Sequence, residues 1–205
     1  MMLYEIYHED GWFLMKSKFK FNPRFLAEGG MVLALASGLS MVKLFSAPYG
    51  GSVTAASMVP ILLFSILRGP KGGLLVAVIY GMLQFILGPI FLTPLQFLLD
   101  FPLAFGSLGL AGVVLSPLIW EGLNRSQRII RVIGAVCLGI GGRLLCHYLA
   151  GVVFWGQYAP EGMSPWIYSL IYNGSYLGIE FLISVLVIWL LIPRFSDLIK
   201  RSRAL

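Results

Sequence analysis

His147 follows Arg143 by four residues in otherwise apolar sequence, so on a helix the two side chains share one face. Asp100, Glu28 and Glu180 each interrupt another apolar stretch. An ionisable group near a bilayer centre costs about 2.5–3.5 kcal/mol on insertion scales, so each of these needs a partner, a cavity or a task. Tyr168, Tyr172 and Asn173 follow closely on one another, with Trp155, Tyr158 and Trp166 just before them. A carboxylate set among Trp and Tyr suits a small aromatic cation, because ring stacking supplies area and a desolvated cation–π contact adds about 2 kcal/mol. His147 and Asn173 would supply directional hydrogen bonds to such a ligand.

Each of these residues also has a plainer reading. Trp155 and Trp166 suit an interfacial aromatic belt, Asp100 with Arg143 suits a buried ion pair, and His147 suits a bond to a nearby carbonyl. Glu180 suits a cavity floor and a helix-packing partner equally well. The shared face of Arg143 and His147 favours one polar site over separate accidents. A membrane enzyme working on lipid would use His147 with Asp100 or Glu180 as an acid–base pair, yet no Ser, Cys or metal-ligand cluster accompanies the histidine. No G-x-x-x-x-G-K-[ST] phosphate loop occurs, the Arg68–Gly73 string RGPKGG being too short for one, so ATP hydrolysis is not expected of this chain.

The elements that must position these residues follow from composition. The chain has 205 residues, 58% of them hydrophobic and only 12% charged, and its mean hydropathy is +0.86. A soluble domain carries about a quarter charged residues. These values exclude a cytosolic enzyme, a secreted disulfide scaffold and a disordered chain, and they make a bilayer the natural solvent. Six apolar windows read as membrane helices, near 25–45, 53–67, 73–92, 95–119, 129–153 and 166–193. The short second window and the prolines of the fourth (Pro94, Pro102, Pro117) predict broken backbone at membrane depth, tolerable where protein or a watery cavity satisfies the freed carbonyls. The fold class expected is an all-α integral membrane protein.

Basic residues set the orientation. Lys16, Lys18, Lys20 and Arg24, then Arg68 and Lys71, then Arg125, Arg128 and Arg131, then Arg194, Lys200, Arg201 and Arg203 fall on one side, leaving Lys43 on the other and Arg143 inside a helix. Thirteen of the fifteen Lys and Arg therefore mark the cytoplasmic face, which holds both termini. The net charge of +6 reflects this orientation and no nucleic-acid stripe. On this scheme Asp100, Arg143, His147, Tyr168, Tyr172 and Asn173 gather in the outer half, a cup open to the outside. The domain plan is a cytoplasmic segment at 1–24, a membrane domain at 25–193 and a basic cytoplasmic tail at 194–205. Residues 1–14 are acidic without an apolar signal core, and they read as a start-site extension or a surface tail before Met15. Cys137 and Cys146 read as small core residues. Gly30, Ala34 and Gly38 form a smooth ridge on the first helix, suited to close helix packing or to a partner. No repeat relates the two halves, which gives an inverted-repeat transporter little support.

Several strings together carry a family resemblance. They are Tyr80–Gln84, Pro94–Phe105, Cys146-His147-Tyr148, Gly151, Phe154-Trp155-Gly156 and Tyr168–Tyr176 (YSLIYNGSY). The chain resembles the thiamine-specific substrate-binding (S) subunits of energy-coupling factor transporters over about residues 24–193. The resemblance implies a six-helix vitamin-binding membrane protein, without a cofactor or catalysis of its own. Its outward site would be capped by the loop between the first two helices. It implies an acid at Asp100 meeting the aminopyrimidine, a stacking Trp155, polar contacts from His147, Tyr168 and Asn173, and further thiamine contacts at Phe101, Gly151 and Tyr49. This chain differs where family members have Glu-Tyr in place of Asp100-Phe101, and Trp in the loop where Tyr49 stands. The implied partners are a transmembrane scaffold subunit, which would meet the Gly30, Ala34, Gly38 ridge, and two ATP-binding cassette subunits. An S subunit for a thiamine precursor or another vitamin, such as riboflavin or a biotin-like compound, is the nearest alternative.

Overall fold

The computed structural model describes residues 22–88 and 90–203. The expected segment at residues 1–14 lies outside them, as does most of the 1–24 segment. The first helix, α1, spans Pro23–Met41 and starts where the Asn22 side chain accepts the Phe25 amide at 2.7 Å, with proline in the first turn. It ends four residues before the expected 45, because the chain turns into an antiparallel ribbon of β1 (Lys43–Ser46) and β2 (Ser52–Thr54). This short ribbon is an addition to the expected helices in a chain that is otherwise mostly helical, and it moves the second helix start from 53 to Val59. The reason is local: the Pro48–Gly50 turn, with Gly50 at φ 101°, reverses the chain and sets Ser46 opposite Ser52.

The span α2, Val59–Leu87, is two helical segments meeting at a kink at Gly69, whose φ of 79° and ψ of 171° are open to glycine and costly for residues with a Cβ; the segments fold back on one another, since a Cβ at Gly73 would fall on Ser65. The second and third windows, on either side of the RGPKGG string, are therefore separate helical segments that meet at this kink. Helical geometry resumes at once at Pro70, whose fixed φ and missing N–H suit a helix start. The third window ends at Leu87, short of the expected 92.

A rod of changing pitch, α3, covers Pro94–Val114. Thr93 caps it by accepting the Gln96 amide, the helix is α-helical over Pro94–Leu98, widens to a π-helical turn over Leu99–Leu103, and tightens to a 3-10 turn over Ser107–Leu110. Pro102 has no N–H for the usual i−4 carbonyl, which accounts for widening at that turn. The backbone irregularity expected from the prolines is here, and it carries Asp100 and Phe101. The fourth window stops at Val114 rather than 119. Leu115 and Ser116 are extended, and Ser116 caps a separate short helix, α4 (Pro117–Glu121).

Helix α5 spans Arg125–Phe154 and begins four residues before the expected 129, since Asn124 and Gln127 form a reciprocal capping box. Helix α6 spans Pro165–Arg203, continuing past 193. Among the described residues, four stretches are long and apolar enough to cross a membrane: Val59–Leu87, α3, α5 and Pro165–Leu191 of α6. Ile61, Leu62, Ile66, Leu108 and Leu177 are fully buried, while Leu35, Ile86, Leu145, Leu182 and Leu190 are exposed. Apolar surface both inside and outside is what a lipid-solvated bundle requires. For the same reason Cys137 corrects the core expectation. It is exposed and Cys146 half-buried, and a small thiol faces acyl chains as readily as it faces a core.

Glu28 ties the start of α1 to the break in α2. Its carboxylate receives Arg24 Nε at 2.8 Å and both Arg68 Nε, at 2.6 Å, and Arg68 Nη2. The acid that looked costly inside a predicted span thus has two guanidinium partners.

Candidate binding site

The π-helical turn of α3 sets Asp100 against α5. Asp100 Oδ1 lies 2.9 Å from His147 Nδ1, and Asp100 Oδ2 accepts from Gln96 Nε2 at 2.7 Å. His147 Nε2 accepts from Arg143 Nε at 3.2 Å, one turn back on the same helix. An N–H donor on Nε2 requires a lone pair there, so the imidazole is neutral and its proton sits on Nδ1, donated to Asp100. The expected Asp100–Arg143 pair is thus a chain with His147 between its ends. Arg143 also lays its guanidinium over the Phe105 ring at 4.1 Å and donates to Met58 Sδ at 2.9 Å.

Helix α6 closes the wall through Asn173. Its Nδ2 reaches Ser169 O at 3.0 Å and His147 O at 3.2 Å, and its Oδ1 accepts from Tyr176 Oη at 2.9 Å. Ser169 Oγ donates to Tyr148 O at 2.7 Å. These bonds require α5 and α6 to approach closely, and Gly151 permits it: a Cβ there would fall on Ser169 Oγ. Asn173 is buried and bonded within the protein at both ends of its amide, so its first task is to hold the two helices in register.

The β1–β2 ribbon lies across this wall. Tyr172 Oη donates to Pro48 O and accepts from Gly51 N at 3.1 Å. Farther along α6, Glu180 Oε1 accepts from the backbone N of Thr54 at 2.5 Å and from its Oγ1 at 2.7 Å. The ribbon is therefore anchored to α6 at two points.

Between these elements is a cavity of about 530 Å³, within the range that buries a drug-sized ligand. Asp100, Phe101, His147, Gly151, Trp155, Tyr168 and Asn173 all line it, so residues from α3, α5 and α6 that looked like one site share one. The side chain of Tyr49 lies outside the described residues. Gly30, Ala34 and Gly38 are exposed on α1, away from the cavity, and a Cβ at Gly30 or Gly38 would meet nothing within 4 Å. Trp166 is exposed and packs on Tyr148 at 5.9 Å, absent from the cavity wall, which fits the belt reading.

Sequence reasoning missed Gln96, Tyr176 and Thr54. Gln96 stands four residues before Asp100 and Tyr176 three after Asn173, so helical spacing was an available signal for both. Thr54 offered none, because it reaches Glu180 across 126 positions. Phe101 belongs to an aromatic cluster, its ring 5.1 Å from that of Phe85 and 5.9 Å from that of Phe97. The site thus offers aromatic faces, two carboxylates and an ordered chain of polar groups. No cluster of metal-ligating side chains occurs among the described residues.

Fold and site together define a multi-pass membrane protein of the binding and transport class. Residues 26–200 match the model of the thiamine transporter protein family, and the chain belongs to that family. It is 34% identical to the thiamine transporter ThiT of Bacillus subtilis over 182 residues, 87% of this chain and 92% of that protein. It is 28% identical to the ThiT of Lacticaseibacillus paracasei over 179 residues, 82% and 86% of the two chains. The solved structure of ThiT from Listeria monocytogenes superposes with a TM-score of 0.73 at 28% identity, covering 87% of this chain and 99% of that one. Its relatives are transport proteins rather than enzymes, and the chain is a multi-pass bacterial membrane protein.

Proposed function

We propose that the protein is the thiamine-binding S subunit of an energy-coupling factor importer, with six membrane helices and both termini in the cytoplasm. The observation that carries this reading is the Asp100–His147 bond within a cavity lined by Trp155 and Tyr168, in a chain of the thiamine transporter family. Thiamine joins an aminopyrimidine to a cationic thiazolium ring. The Nδ1-protonated His147 holds the Asp100 side chain oriented, ready to accept from the ligand's amino group through its remaining lone pairs. Trp155 and Tyr168 offer ring faces to the two heterocycles. Gly151 keeps the wall flat where a side chain would intrude.

Nothing in this function makes or breaks a covalent bond of the ligand, and no cofactor is needed. Energy comes from elsewhere. The exposed small residues Gly30, Ala34 and Gly38 allow a helix of a scaffold subunit to approach the α1 backbone closely. Two ATP-binding cassette subunits attached to that scaffold would drive reorientation and release inside.

Tryptophan fluorescence of the purified protein tests the reading. Thiamine at micromolar concentration quenches emission, because Trp155 lines the cavity. Strong quenching by another vitamin or a thiamine precursor, with none by thiamine, would overturn the ligand assignment.

A further inference from the structure

Two carboxylates line the cavity, and their bonding differs. Asp100 has both oxygens engaged, by His147 and by Gln96. Glu180 is 2% exposed, and only its Oε1 is engaged, by the N and Oγ1 of Thr54. Its Oε2 is buried without a hydrogen-bond partner among the described residues. Arg143, the guanidinium on the same cavity, bonds His147 and Met58 and makes no ion pair with Glu180 among the described residues. A buried carboxylate oxygen without a partner is expensive, and the expense is offset when a cation arrives.

We propose that Glu180 is the ligand-contacting acid that faces the ring cation of thiamine, while Asp100 serves the neutral heterocycle. This deepens the thiamine reading and rests on it. Seven residues separate Glu180 from Asn173 along α6, about 10 Å of helix, a spacing that suits two rings bound in line along the helix. The same carboxylate holds Thr54, the last residue of β2, so the group that meets the cation also anchors the ribbon over the cavity. Neutralising Oε2 with a bound cation completes the bonding of a side chain that already joins α6 to the ribbon. Occupancy and closure are thereby linked through one residue.

The test compares two ligands on Glu180→Gln, a change that keeps an oxygen for Thr54 and removes the charge. The ligands are thiamine and its uncharged analogue with carbon in place of the thiazolium nitrogen, read by titration calorimetry on the full chain in detergent. Thiamine affinity is expected to fall about 10- to 100-fold, as when a bond to a charged group is lost, while affinity for the uncharged analogue changes less than about threefold. Equal losses for both ligands, or no loss for either, overturn the assignment of Glu180 and leave the thiamine reading standing. Wild-type protein that binds neither ligand overturns both. If the Gln variant does not accumulate folded, Glu180→Asp keeps the charge one methylene farther back; a loss for thiamine larger than for the analogue supports the pairing, and matched losses sink it.

Discussion

The imidazole of His147 and the carboxylate of Asp100 meet at 2.9 Å across 47 positions of chain, one on α5 and the other on the π-helical turn of α3. Both side chains are mostly buried, 12% and 15% exposed. Their bond joins the walls of the cavity and sets the hydrogen-bonding sense of the whole row. The proton on Nδ1 points at Asp100, and the lone pair on Nε2 faces Arg143.

Asp100→Asn removes the charge from that row and keeps its shape. Thiamine affinity is expected to fall about 10- to 100-fold, the value of a hydrogen bond to a charged group, with purified yield close to wild type. Fluorescence titration of both proteins measures it. Unchanged affinity would remove Asp100 from the ligand's contacts.

Tyr172→Phe removes the hydroxyl that bonds Pro48 O and Gly51 N. The ribbon should then open more readily, so ligand release is expected to quicken about tenfold while association changes little, since losing two bonds costs on the order of 1–3 kcal/mol. Stopped-flow displacement of bound thiamine separates the two rates. Equal release from both proteins would show that the Tyr172 anchor does not govern exit.

Gly151→Val places a branched side chain where Ser169 and Asn173 already lie against the α5 backbone. Helices α5 and α6 must separate or the Asn173 bonds must break. Overpacking of this kind costs about 1–3 kcal/mol. The thermal midpoint in detergent should drop, and thiamine binding with it. A midpoint equal to wild type would show that the helix pair tolerates the gap.

Ala34→Trp alters the exposed ridge of α1 and leaves the cavity untouched. Thiamine binding by the isolated chain should match wild type, while uptake by cells carrying the scaffold and ATPase subunits falls by about an order of magnitude or more, because close helix approach needs small residues. Lost binding, or uptake at the wild-type rate, would count against a scaffold contact here.

Helix content was legible where apolar length and caps agree. The fifth and sixth windows lie within α5 and α6, and the outliers Asp100, His147, Trp155, Tyr168 and Asn173 do line one cavity. An ionisable or aromatic residue in an apolar run is costly by itself, so it stands out before any fold is known. The ribbon was not legible. Residues 53 and 54 stand where a helix start was expected, and only their pairing with Phe45 and Lys43 makes them a strand. Hydropathy does not distinguish these two outcomes in so short a run. The break at Gly69 was marked by its neighbours, but its extent, a single residue, depends on Pro70 restarting the helix immediately.

The sequence by itself determined the solvent, the number of apolar windows, the clustering of the basic residues between them and the identity of the polar outliers, because transfer free energies belong to residues and hardly depend on neighbours. Only the tertiary structure decided who pairs with whom. Asp100 took His147 rather than Arg143, Asn173 turned its amide to α5, and Glu180 gripped Thr54 with one oxygen and left the other without a partner among the described residues. Hydrogen bonds are directional over a few tenths of an ångström, so partners drawn from distant parts of the chain are settled by packing, and the use of each scarce charge is settled with them.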